Sequence, residues 1–381
     1  MSLRRTLRGM FRLCCGLCLL LGAHALAWLL PVPGYAEDLA AEVTLSTDPP
    51  PEHIRPDGEA VRVTLSARLQ GKPLSGGHLQ LQVTAPPRST ILTTDFPHVE
   101  GSALLALASD LQPDGTWSMQ YVFPIRGDYT FALQLVPLPG GPAFRPTSLT
   151  HTLHVAENPE EVRNIWFVVG GLFLLGVLVG HILARSAAAR EALQPGNLVV
   201  FCLLTAGLLA LGSPHARAQE HAHSAPVNSG TQVAQGGDGW ELTVQPQPAS
   251  ATVGQLLDLG IVLKKDGQIW PRPLEVLLQA SSQEDGKDIL RTTLWTQSGQ
   301  MTPRLQFFDG APHSVTVTAR PLAGSAGEVA PLTVTMGLEV LALHPPMAVK
   351  LRILALLLIV LVGGMVAGFF LPTRLKESGR A

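Results

Sequence analysis

Histidines are the side chains in this sequence whose placement could do chemistry. His215, His221 and His223 lie close together, the last two as His-Ala-His, just beyond an apolar run. Cleavage after Ala218 would leave Gln219-Glu220-His221 at a new amino terminus. There the free amine, two backbone amides and the third-position imidazole could wrap Cu(II) or Ni(II) in a square plane, the arrangement that nitrogen-ligated tetragonal ions adopt. A solvated linker that happens to carry histidines is the competing reading of the same stretch. His313, which follows a glycine turn, is the fourth candidate metal ligand, and His344 sits where the last β-rich region meets a terminal apolar run. His151 and His154 are three apart on an expected strand, so they point to opposite faces and do not chelate together.

No other chemistry leaves a signature. The sequence lacks G-x-S-x-G, H-E-x-x-H and a P-loop, and it has no C-x-x-C in an exported region, so nucleophilic, zinc-protease and nucleotide chemistry have no handle. A pair of carboxylates can still assemble in space without a motif. The expectation is a protein that is not an enzyme, with no catalytic residues and with Cu(II) or Ni(II) as its one cofactor class. A loop at Thr93–Gly101, which carries Asp95, Phe96, His98 and Glu100, could instead display a recognition surface.

The elements that would position these residues are partly membrane segments. The 381 residues carry 27 Lys+Arg against 29 Asp+Glu, a net charge of −2, which excludes a strongly basic nucleic-acid binder. Only 15% of residues are charged, below the roughly 25% of soluble domains, and mean hydropathy is +0.26. Residues 1–36 open with Arg4, Arg5, Arg8 and Arg12 ahead of an apolar stretch, and read as a secretory signal or an N-terminal anchor. Residues 164–184 are long enough to cross about 30 Å of hydrocarbon, and the arginines that follow place that end on the cytoplasmic side. A cytoplasmic loop (185–196) leads to a third run (197–213), which is either a transmembrane helix or an internal signal, and then to a histidine-containing linker (214–238). Residues 353–371 form the last span, ahead of a cytoplasmic tail (372–381). All four cysteines lie in apolar runs, so the polar regions have no disulfide framework and must be held by core burial.

The two polar regions, 39–156 and 239–342, repeat one pattern. Gly58 and Gly71 have the same spacing of 13 as Gly254 and Gly267, and alternating apolar runs lie between them. Phe123 to Val136 and Phe307 to Ala319 each read as an aromatic, a glycine turn and an alternating strand, with Tyr129 and His313 in corresponding places. Short strands with frequent turns and no amphipathic crossover helix point to a mainly β chain of two tandem immunoglobulin-like β-sandwich domains, each followed by a transmembrane helix. Trp117, Tyr121, Phe123, Tyr129 and Phe131, and in the repeat Trp240, Trp270, Trp295, Phe307 and Phe308, are the expected core aromatics. The two anchors carry G-x-x-x-G at Gly176 and Gly180 and at Gly364 and Gly368, which suits close packing of helices on each other or on a partner.

A leader, a disulfide-free β-sandwich, histidines near a mature amino terminus and a following membrane helix together resemble the CopC-like and YtkA-like copper-associated periplasmic domains of bacteria. The stretch Phe123-Pro124-Ile125-Arg126-Gly127-Asp128-Tyr129 is similar in style to their strands. The resemblance implies metal handling, although here His221 would be third rather than first and there is no methionine-rich stretch. The reading that follows is a non-enzymatic protein of a bacterial-type cytoplasmic membrane. It is multi-pass, displays two extracytoplasmic domains, and serves as an accessory or assembly subunit whose partners are the bilayer and a membrane protein. A periplasmic copper or nickel chaperone is the alternative.

Overall fold

The computed structural model describes residues 39–88, 96–185, 230–322 and 330–371. The expected leader, the third apolar run with its cleavage site, His215, His221 and His223, and the C-terminal tail lie outside the described residues. The chain is mainly β, with two helices among the described residues. Its N-terminal half supplies β1 (Glu42–Asp48), β2 (Val61–Leu69), β3 (Lys72–Pro73), β4 (Gly77–Thr84), β5 (Ala103–Asp110), β6 (Thr116–Tyr121), β7 (Gly127–Pro137), β8 (Thr147–Val155) and helix α1 (Pro159–Arg185). Its C-terminal half supplies β9 (Gln232–Gln235), β10 (Trp240–Gln247), β11 (Ala251–Thr252), β12 (Leu256–Lys265), β13 (Gln268–Ile269), β14 (Leu274–Ser282), β15 (Asp288–Thr296), β16 (Gln300–Met301), β17 (Arg304–Gln306), β18 (Pro312–Pro321), β19 (Leu332–Leu341) and helix α2 (Met347–Phe370). Strand β9 falls within the stretch read from sequence as linker.

The strands form because apolar residues recur at every second position. In β14, Leu274, Val276, Leu278 and Ala280 are all fully buried, while the residues between them are half-exposed. Where β2 turns into β3 and β12 into β13, Gln70-Gly71 and Asp266-Gly267 both take left-handed backbone, φ 52° and 76° in one and 52° and 79° in the other. Two consecutive left-handed residues make the tight hairpin whose twist matches its strands.

The strands assemble into two sheets, and each sheet runs through both halves of the chain. One has the order β1-β2-β6-β15-β14-β18-β19-β11, with β3 on β2. The other has the order β8-β7-β4-β5-β17-β12-β10-β9, with β13 and β16 on β12. The halves join at two seams. Met119, Gln120 and Tyr121 of β6 pair antiparallel with Thr292, Arg291 and Leu290 of β15. Leu105 and Ala106 of β5 pair antiparallel with Leu305 and Arg304 of β17. Along the first order three strands come from the N-terminal half and five from the C-terminal half, and along the second each half supplies four. The apolar inner faces meet in one hydrophobic cluster that spans both halves, a sandwich-like arrangement.

The aromatics fill this core, with one exception. Trp117, Tyr121, Phe123, Tyr129 and Phe131 are buried, as are Trp240, Trp270, Phe307 and Phe308. Trp295 is not a core residue, because its neighbour Leu294 takes the inward position and alternation turns Trp295 to the outer face of β15.

Phe123 packs edge-on against Tyr121 and Tyr129, with ring centroids 5.3 and 4.8 Å apart. The Tyr129 hydroxyl donates to the Ile125 carbonyl at 2.6 Å and accepts from the Ile125 N–H at 2.9 Å, closing the turn ahead of β7. His313 occupies the matching place beside Phe307, with centroids 4.5 Å apart. Burial pushes the phenols of Tyr121 and Tyr129 well above the ordinary tyrosine range, so both stay protonated.

The two tyrosines should answer differently to loss of the hydroxyl. Tyr129→Phe strands the Ile125 amide and carbonyl and is expected to cost about 1–3 kcal/mol. Tyr121 has a buried hydroxyl without a hydrogen-bond partner, so Tyr121→Phe is expected to be neutral or mildly stabilising. Denaturant unfolding of the two variants checks this contrast, and equal losses would contradict it.

Candidate functional site

Both helices are long and apolar enough to cross a membrane. Helix α1 starts before the apolar stretch because Asn158 caps it, its side-chain oxygen accepting from the Glu160 N–H at 3.0 Å. Glu160 and Glu161 in the first turn complement the positive end of the helix dipole.

The helices pack on each other through glycine. Gly176, Gly180, Gly364 and Gly368 are buried. A Cβ on Gly180 would overlap the Met365 backbone, one on Gly368 the Val177 backbone, one on Gly364 the Phe173 backbone and one on Gly176 the Leu361 backbone. Contacts move up both helices together, from Phe173 and Gly176 against Leu361 and Gly364 to Val177 and Gly180 against Met365 and Gly368, so the pair is parallel. Gly170, Gly171 and Gly363, which share the repeated V-G-G step with Gly364, meet nothing.

Buried polar groups pin the halves together above the helices. The Trp295 backbone N–H donates to Ser109 Oγ at 2.9 Å, and Gln297 Nε2 donates to Asp110 Oδ2 at 2.9 Å. Ser102 Oγ donates to Gln306 Oε1 at 3.0 Å, and Thr292 Oγ1 to the Ser118 carbonyl at 3.1 Å. The Thr93–Gly101 loop, whose residues 93–95 lie outside the described region, is not a free display surface from Phe96 onward. Phe96 packs edge-on against Phe308, His98 Nε2 lies 3.0 Å from the His344 carbonyl, and Glu100 is buried.

A cleft of about 800 Å³ opens where the N-terminal strands meet the helices. Its polar wall carries Asp57, Arg126, Glu157 and Glu161, and its apolar wall includes Phe96, Trp166, Leu356 and Val360. Arg126 and Glu157 form an ion pair that bridges the turn before β7 to the approach to α1. These polar residues come from separate stretches of chain, and no motif links them in the sequence. The signal that could have found them is the acidic first turn of α1 directly ahead of Ile165 and Trp166. A smaller hollow, about 480 Å³, lies on the outer face of the ten-stranded sheet, floored by Ala106, Ala108 and Ala132 between Gln80, Gln82 and Gln134.

Of the four expected metal ligands, only His313 is described. It is fully buried, with Nδ1 2.7 Å from the Ala311 carbonyl and Nε2 2.9 Å from Asp309 Oδ1, the latter out of line for a hydrogen bond. Among the described residues no three His, Cys, Asp or Glu side chains gather as a metal site. His151 is half-buried and His154 exposed on β8, where His154 pairs with Asp128 at 2.6 Å.

No protein family matches the sequence, and no curated protein does. Solved structures similar to the chain include trypsin-activated α2-macroglobulin from Escherichia coli, at 12% identity and TM-score 0.21 over 81% of this chain and 18% of that one. Salmonella α2-macroglobulin reacted with methylamine matches at 10% identity and TM-score 0.22, over 80% of this chain and 15% of that one. Red sea bream transglutaminase matches at 9% identity and TM-score 0.19, over 80% and 31%. The chain therefore spans less than a third of each of these proteins.

Proposed function

We propose that this is a non-enzymatic membrane protein that presents two immunoglobulin-like units on the extracytoplasmic face of a bacterial-type cytoplasmic membrane, as an accessory or assembly subunit of a larger complex. The observation that carries the reading is the parallel glycine-packed helix pair beneath halves that share both sheets. A body whose halves share both sheets, with its two helices packed on each other, suits holding partners in place. The faces of α1 turned away from α2 remain apolar and exposed, Leu174, Leu175, Leu178 and Ile182 among them, and offer a surface to lipid or to another membrane helix.

Parallel packing is in keeping with the out, in, out, in topology expected from the sequence. A 27-residue helix is about 40 Å long at 1.5 Å per residue, so a two-span reading needs a return of that length between α1 and β9. The third apolar run supplies either a return span or, if cleaved after Ala218, a second start.

A photo-crosslinker at Leu178, used in membranes at native abundance, tests the reading. The expected result is a discrete adduct with one membrane protein, lost when Leu178 and Ile182 are both changed to alanine. Recovery of the isolated monomer alone would overturn it.

A further inference from the structure

We propose that the cleft between the N-terminal strands and the helix pair binds the headgroup and first acyl segment of a phospholipid with a primary ammonium, of the phosphatidylethanolamine kind. The inference rests on the reading of α1 and α2 as membrane spans, which puts the cleft at the level of the membrane–water boundary. Trp166, exposed near the start of α1, is the side chain that favours that level.

The lining has the polarity of such a lipid. Trp166, Leu356 and Val360 of the two helices and Phe96 of the β body supply its apolar lining, and the charged groups line the same cleft. Three carboxylates, those of Asp57, Glu157 and Glu161, face one guanidinium, that of Arg126, which is already paired with Glu157. The Asp57 and Glu161 carboxylates thus have no cationic partner among the described residues. An anionic headgroup would meet this surplus of negative charge and be repelled. A primary ammonium supplies three N–H donors to carboxylate acceptors, whereas a quaternary ammonium supplies none. The phosphate of the same headgroup has the Arg126 guanidinium and the Asn164 amide, which also lines the cleft, within the same wall. Asp57 is held there by backbone: its N–H donates to the Phe123 carbonyl at 2.9 Å, and its φ of 50° is one that aspartate and asparagine tolerate.

The test is native mass spectrometry of the full chain released from nanodiscs that hold equal amounts of phosphatidylethanolamine, phosphatidylglycerol and phosphatidylcholine with the same acyl chains. The expected result is retention of phosphatidylethanolamine over either competitor by about fivefold, the scale of one or two charge contacts to the exposed carboxylates of Asp57 and Glu161. Asp57→Asn combined with Glu161→Gln should bring the three lipids to parity, whereas Glu42→Gln, on the far strand β1, should leave the preference unchanged. Equal retention by the unaltered protein, a preference for phosphatidylglycerol, or an unchanged preference in the double variant would overturn the proposal. So would a crosslink from position 166 to protein and none to lipid. Alkaline carbonate extraction separates the two levels. Release of the protein from membranes would refute the membrane reading itself, whereas retention without lipid selectivity would refute only the lipid site.

Discussion

Gly368→Leu is expected to force α1 and α2 apart, because the added side chain must enter space held by the Val177 backbone. Backbone cannot yield as a side-chain end can, so the helices must separate or rotate, at a cost of about 1–3 kcal/mol from overpacking alone. Gly180→Leu meets the Met365 backbone in the same way and should behave alike. Gly170→Leu is the control, since nothing lies within reach of that position, and surface changes of that kind stay within about 0.5 kcal/mol. The readout is the distance between nitroxide labels at Leu178 and Val366, both exposed on their helices. It should lengthen and broaden in the first two variants and stay unchanged in the third. An unchanged distance in Gly368→Leu would show that the glycine contact does not set the pair.

The second large effect lies in the core. Phe123 touches Tyr121, Tyr129 and Phe131 and is 1% exposed, so Phe123→Ala removes a ring that three others enclose, and should cost about 3–5 kcal/mol. The shape of the transition matters more than its midpoint. The seams at β6–β15 and β5–β17 are continuous sheet, reinforced by the Ser109, Asp110, Ser102 and Thr292 hydrogen bonds, so the C-terminal half cannot keep its edges when the N-terminal half opens. Calorimetry should therefore show one cooperative transition moved to lower temperature. Two transitions, with the C-terminal one left in place, would mean that the halves fold as separate domains.

Much of the architecture is legible in the sequence because it is periodic. Alternation marks β2, β4, β12, β14 and β18, the Gln70-Gly71 and Asp266-Gly267 turns announce two hairpins, and the match of Tyr129 to His313 relates the halves. The seams are not legible. Sheet continuation is made by backbone hydrogen bonds, which carry no side-chain signature, and the residues that pin it are small and polar and read as ordinary strand residues. Trp295 was expected in the core because tryptophan is bulky, yet register puts Leu294 there instead. The glycines of the helix pair could be singled out from spacing, whereas their parallel order and the idleness of Gly170, Gly171 and Gly363 needed three dimensions. The cleft escaped because Asp57, Arg126 and Glu161 are distant in sequence and meet only through the turn that Tyr129 closes.

The central claim is that the two helices run in parallel through the membrane from one shared β body. Single cysteines at Arg185, Leu371 and Ser148, each in a background without the four natural cysteines, are probed with a membrane-impermeant thiol reagent applied from either side. The account predicts that positions 185 and 371, at the far ends of α1 and α2, label from the same side, and that position 148 on β8 labels only from the other. Labelling of 185 and 371 from opposite sides, or of all three from one side, would contradict it.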